Sequence, residues 1–206
     1  MIKLVLFDLD GILVNACGWH KQALDQALQE TCHYTISEAD HFTTFNGLPT
    51  KKKLELLMKL GIVLEEQIPK IFHLKQEFTK NTIKEQGQID LEKIEMHKAL
   101  INLNIPRVCV TNSITETARL MLEVTGQWPY LTDLISNEMV RTPKPHGEGY
   151  IRAMIKYQAY PEETLICEDS PVGLQAAYAS GAHVLECKDE TEVTKERVLR
   201  AIQELS

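Results

Sequence analysis

Two aspartates one residue apart, Asp8 and Asp10, follow the apolar run Ile2-Lys3-Leu4-Val5-Leu6-Phe7 and precede Gly11. In extended chain a two-residue spacing puts both carboxylates on one side. Taken alone, Asp-x-Asp-Gly is also the composition of a turn or of a calcium-type loop. Farther along, polar groups of complementary type end other short apolar runs: Thr111-Asn112-Ser113, then Lys144, then Glu168-Asp169. Together these are the parts needed to cleave a phosphate monoester, a reaction that is among the slowest known without a catalyst. A carboxylate that attacks an anionic phosphoryl group meets like-charge repulsion. The chemistry therefore calls for a divalent cation on hard oxygen ligands and for an ammonium group, and Mg2+ and Lys144 are the expected pair, neutralising Asp8, Asp169 and the phosphate. Thr111, the backbone amides around it at Asn112, and the start of a helix capped by Ser113 would hydrogen-bond the phosphate oxygens. Asp10 would protonate the leaving oxygen and then take a proton from the hydrolytic water, a contribution of about 10²–10⁴-fold.

Such residues, far apart in the chain, need a scaffold that gathers strand ends on one rim. Apolar runs rich in β-branched residues recur at 2–7, 107–111, 133–136, 164–167 and 183–186, and helical patterns separate most of them. That alternation predicts an α/β fold with a Rossmann-like parallel sheet, which binds ligands at the carboxyl ends of its strands. About 100 residues lie between the first two strands, far more than a crossover needs. They read as helices over 19–31, 37–45, 51–60, 65–86 and 92–103, and the first four make an inserted helical cap. The predicted division is a core of residues 1–15 and 88–206 and a cap of 16–87, with hinges near 14–18 and 86–90 and the site between the two. Ser113 and Glu116 have the spacing of a capping box opening a helix through Val124, with Gly126 ending it. Ser170-Pro171 opens another, which Gly181 ends, and the small residues Gly173, Ala176, Ala177 and Ser180 give it a face that can lie close to the sheet.

In this order, Asp8-Leu9-Asp10-Gly11, Thr111, Lys144-Pro145 and Glu168-Asp169-Ser170-Pro171-x-Gly173 resemble the four motifs of the haloacid dehalogenase-like hydrolase superfamily. The insertion after the first motif resembles the helical cap of its phosphatase and β-phosphoglucomutase-like subfamilies. The resemblance implies that Asp8 is the nucleophile and a Mg2+ ligand, and that Asp10 is the acid/base and a ligand through its backbone carbonyl. It also implies that Thr111 and Lys144 bind phosphate, that Asp169 completes the metal site, and that Glu168 assists as an outer or water-mediated ligand.

Several positions depart from the family pattern. Ile12 and Asn15 replace residues that orient the cap in many relatives. His20 falls where relatives often carry a histidine near the hinge, placed to couple cap closure to Asp10. Gly47, in Asn46-Gly47-Leu48-Pro49-Thr50, is placed to face the substrate. Sugar phosphomutases of the superfamily commonly carry an arginine shortly after that glycine, and here Thr50 stands near its place; Lys51 does not reproduce the bidentate grip of arginine. The expected activity is thus hydrolysis of a small phosphorylated metabolite, such as a sugar phosphate, through an aspartyl-phosphate, with a β-phosphoglucomutase-type mutase as the alternative. Glu148 is placed to cap the helix after Lys144.

Composition bounds this reading. The 206 residues can bury a core without metals or disulfides, and the net charge of -7 argues against a broad nucleic-acid or anionic-lipid footprint. The five scattered cysteines suggest neither a disulfide framework nor a zinc site. No apolar run approaches a membrane span. A cytoplasmic, monomeric protein without an organic cofactor is the expectation. A signalling receiver domain has the phosphoacceptor in a different chain order, a dehalogenase generally lacks the second acid, and a non-catalytic scaffold need not keep all four charged residues.

Overall fold

The five apolar segments pair as one all-parallel sheet in the order β3-β2-β1-β4-β5. The strands are β1 (Leu4–Phe7), β2 (Arg107–Val110), β3 (Asp133–Ile135), β4 (Thr164–Glu168) and β5 (His183–Glu186). The computed structural model describes residues 1–45 and 48–205. The chain grows from β1 to β2 and β3 on one side and then crosses to β4 and β5 on the other. The order therefore reverses beside β1, where an open α/β sheet leaves a crevice at its strand ends. Register aligns Phe7 with Cys109 on one neighbour and Cys167 on the other, so Asp8 emerges level with the end of both.

The chain forms two compact units: Met1–Asn15 with Gly87–Ser206, and Ala16–Gln86. The first holds the sheet, α5 (Leu91–Asn102), α6 (Thr115–Val124), α7 (Glu148–Tyr157), α8 (Pro171–Ala179) and α9 (Lys195–Glu204). Leu4, Leu6, Val108, Ile166, Ala176 and Ala177 are among the buried side chains that make its core. The second is helical: α1 (Cys17–Cys32), α2 (Glu38–Phe42), α3 (Thr50–Lys59) and α4 (Ile68–Gln86), around Leu24, Leu28, Leu54, Leu57 and Ile71. The helix expected over 65–86 starts as a 3-10 turn, Glu65–Gln67, before α4. Pro69, which lacks an N–H, then falls in the first turn of α4, where none is needed. No described helix is long and apolar enough to cross a membrane.

Strands β2 and β3 end one residue before the apolar pattern does, β5 matches it, and β4 runs one residue longer, to Glu168. Thr111 lies beyond β2, though its N–H still donates to the Ile135 carbonyl at 2.9 Å. Helix α8 follows the expected plan: the Ser170 hydroxyl accepts the Gly173 N–H at 3.0 Å, Pro171 opens the helix, and Gly173, Ala176 and Ala177 are buried. Its glycine is forced by the site. A Cβ on Gly173 would stand 2.0 Å from the Glu168 carboxyl carbon. Alanine normally stabilises a helix relative to glycine by about 1 kcal/mol. At this position the sign is expected to reverse, Gly173→Ala costing about 1–3 kcal/mol or more in urea denaturation. Gly18→Ala, where an added Cβ meets nothing within 4 Å, serves as the opposite control.

Candidate active site

Asp8 and Glu168 leave adjacent strands, β1 and β4, and the ammonium of Lys144 lies between them. Its Nζ donates to Asp8 Oδ1 at 2.5 Å and to Glu168 Oε2 at 2.7 Å. All three groups are buried, with 6% exposure for Asp8, 9% for Lys144 and 0% for Glu168. The Tyr150 hydroxyl donates to the same Glu168 Oε2 at 2.6 Å, and its ring lies under the Lys144 ammonium at 4.9 Å. The other oxygen, Glu168 Oε1, accepts from the Asp169 N–H, the Ser170 N–H and the Ser170 hydroxyl. Carboxylate oxygens of Asp8, Glu168 and Asp169 lie within 4.8 Å of one another. Gly11, at φ +90°, is what admits Asp169: an added Cβ would be 2.3 Å from its Oδ2.

One ammonium thus serves three clustered carboxylates. Burial and the Glu168 charge push the Asp8 carboxyl well above its usual range, against the pull of Lys144. Burial, then Glu168, raises Asp169 to about 7. Burial disfavours ionisation of Glu168 as well, but Lys144, Tyr150 and Ser170 outweigh it and hold this carboxyl below its ordinary value. Burial would lower Lys144, yet its anionic neighbours, Asp8 foremost, raise it. Ionisation is thus favoured at Lys144 and Glu168 and disfavoured at Asp8 and Asp169. Asp169 Oδ1 is buried with no hydrogen-bond partner among the described residues. A buried, unpartnered oxygen, an excess of negative charge and an all-oxygen donor set fit a hard divalent cation.

Asp10, half-buried, accepts from the Ser113 hydroxyl at 3.1 Å, and Thr111 Oγ1 accepts the Ser113 N–H at 3.0 Å. This corrects the capping assignment. With both groups of Ser113 turned to the site, α6 starts at Thr115, whose N–H is taken instead by Glu138 Oε2 at 2.8 Å. The Asn112 side chain binds the backbone of Lys144 twice, accepting from its N–H at 3.0 Å and donating to its carbonyl at 3.1 Å. Glu148 does not cap its helix either: it accepts the N–H groups of Arg141 and Thr142, which, with Arg152, hold it near pKa 2. His20 lies on α1 with its Nδ1 3.2 Å from the buried Lys75 ammonium of α4. Gly47 lies outside the described residues. Tyr150 escaped sequence reasoning because nothing in a helical pattern tells a core aromatic from one whose hydroxyl must find a buried acceptor.

Residues 5–187 match the model of the haloacid dehalogenase-like hydrolase family. A putative pyrophosphatase PpaX from Clostridium perfringens is 28% identical over 88% of this chain and 82% of its own length. A phosphoglycolate phosphatase from Photobacterium profundum is 26% identical over 89% and 82%. Among solved structures, a family IA, variant 3 hydrolase of this kind from Entamoeba histolytica superposes with a TM-score of 0.82, at 20% identity, over 98% of this chain and 100% of that one.

Removing Lys144 is expected to strand buried negative charge, so Lys144→Met in metal-free protein at pH 8 should lose about 3–5 kcal/mol in chemical denaturation. Tyr150→Phe, which removes one hydrogen bond, should lose about 1–2 kcal/mol. A carboxyl whose folded pKa is raised binds more protons folded than unfolded, so it lowers stability as pH rises, for Asp169 between 3.8 and about 7. The Lys144→Met deficit should therefore shrink on acidification; a deficit that grows toward pH 5 would contradict this charge assignment.

Proposed function

This chain belongs to the haloacid dehalogenase-like hydrolases, and from that premise we propose that it is a Mg2+-dependent phosphatase that hydrolyses a small phosphorylated metabolite through an aspartyl-phosphate on Asp8. The observation that carries the reading is the buried Lys144 ammonium bridging Asp8 and Glu168 beside Asp169, at the point where the strand order reverses. Asp8 and Asp169 would hold the cation, with the backbone carbonyl of Asp10. Glu168, whose two oxygens already accept five donors, supports them from behind. Bound there, Mg2+ would supply the positive charge that offsets nucleophile and phosphate together.

In the first half-reaction an Asp8 carboxylate oxygen bonds to phosphorus as the bond to the ester oxygen breaks, and Asp10 gives that oxygen a proton. Lys144 fixes Asp8 through Oδ1 and offers positive charge to the phosphoryl oxygens. Thr111 Oγ1 accepts from Ser113, which leaves its hydrogen for a phosphate oxygen. In the second half-reaction Asp10 takes a proton from water, which displaces Asp8 from phosphorus and releases inorganic phosphate. The Ser113 hydroxyl holds the Asp10 carboxyl in one orientation throughout.

Relatives named as pyrophosphatase and phosphoglycolate phosphatase support a small phosphorylated compound, and a sugar phosphate is the reading we favour. Thr50 opens α3 near where phosphomutases commonly carry a phosphate-gripping arginine, which supports release of phosphate over its return to a sugar.

Phosphate release from a panel of sugar phosphates, nucleotides and glycolytic esters tests the proposal. Activity should require Mg2+, disappear with a chelator, and be absent in Asp8→Asn, whose amide cannot attack phosphorus. Asp10→Asn should slow formation and breakdown of the phosphoenzyme by about 10²–10⁴-fold each in rapid-quench kinetics. Full turnover by Asp8→Asn, or isomerisation without phosphate release, would refute hydrolysis through Asp8.

A further inference from the structure

The loop carrying Asp10 is a tight turn. Leu9 O accepts the N–H groups of Ile12, Leu13 and Val14 at 3.3, 3.0 and 2.9 Å, and the Gly11 N–H donates to Val14 O at 2.8 Å. These bonds close the turn on itself but do not attach it to the rest of the sheet domain. Side chains do: the Ser113 hydroxyl holds the Asp10 carboxyl, and Gln127 Nε2 holds the backbone, donating to the Leu13 carbonyl at 2.8 Å across 114 residues of sequence.

Gln127 is fully buried, where glutamine is uncommon and an unbonded amide is costly. Its amide is committed on each side. Nε2 also donates to Thr125 Oγ1 at 3.0 Å, and Oε1 lies 3.2 Å from His97 Nε2. The orientation is not arbitrary, because a carbonyl can only accept, so Leu13 must face the NH2 end and His97 must donate from Nε2. His97 is itself fully buried and stacks edge-on against Phe7, the residue before Asp8, at 5.7 Å. Burial lowers its pKa to about 4, which keeps the imidazole neutral near pH 7. The same short segment also holds the returning chain, since the Asp90 N–H donates to Thr125 O at 3.0 Å.

We propose that Gln127, oriented by His97, is a positioning residue that fixes the Leu9–Val14 turn and so aims Asp10 at the reacting oxygen. The role of Asp10 here rests on the phosphatase reading, whereas the anchoring of the turn does not. Gln127→Met keeps length and volume and removes the amide. With p-nitrophenyl phosphate and Mg2+ it should lower kcat about 10–100-fold with KM changed less than about threefold, the signature of a misplaced reacting group. Amide hydrogen exchange should accelerate at Gly11, Leu13 and Val14 and stay unchanged in β4 and β5. Should that variant fail to fold, Gln127→Asn, which keeps an amide for Thr125 but is too short for Leu13, is read by the same two measurements. A folded variant with unchanged kcat and unchanged exchange in the turn overturns the proposal, as does exchange that rises uniformly across the sheet. If the wild-type protein releases no phosphate, the functional reading fails separately, and exchange at Gly11, Leu13 and Val14 still decides whether Gln127 anchors the turn.

Discussion

The constraint on which the rest of the structure depends is the burial of several carboxylates around one ammonium. A charge taken out of water costs several kcal/mol unless partners replace its hydration, and Asp8, Glu168 and Lys144 are all buried. Much of the surrounding architecture serves that requirement. Tyr150 and Ser170 complete the hydrogen bonds of Glu168, Asn112 clamps the backbone of Lys144, and Gly11 and Gly173 leave room where any Cβ would strike a carboxylate. The small-residue face of α8 is thus more than close packing against the sheet: it lets Glu168 sit under the helix start, where the N–H and hydroxyl of Ser170 donate to it.

Much of this was legible in the sequence because parallel sheets impose strong patterns. Buried strands read as unbroken apolar runs, and each ended at a charged or hydroxyl residue, so the rim and its candidate chemistry could be located together. Helix boundaries governed by backbone geometry, such as Ser170-Pro171 and the left-handed Gly126 and Gly181, were equally readable. Side chains with two possible partners were not. Ser113 has the spacing of a capping residue, but Asp10 and Thr111 claim it and Glu138 takes over the helix end. Glu148 likewise reaches back to the 141–142 backbone instead of serving its own helix. Local spacing lists the bonds a residue can make, whereas tertiary neighbours decide which one forms.

Tyr150, His97 and Gln127 mark the further limit. Each sits in an ordinary helical or turn pattern, and each matters only through a partner 18 to 114 residues away. No period or motif encodes such a pairing. What the structure adds to the motif residues is the layer that holds them still, and catalysis through fixed charges and directed proton transfer depends on that layer as much as on the reacting groups.

Charge count also orders events at the site. Three clustered carboxylates facing one ammonium carry, when ionised, two negative charges beyond the one that Lys144 offsets. A phosphate ester, itself anionic, is repelled by that excess. A divalent cation held by Asp8 and Asp169, as proposed, would match that deficit with its two positive charges and favour the ionised, nucleophilic form of Asp8. The same electrostatic deficit that makes the metal-free site costly to fold would then make the cation a prerequisite for substrate binding as well as for the chemistry.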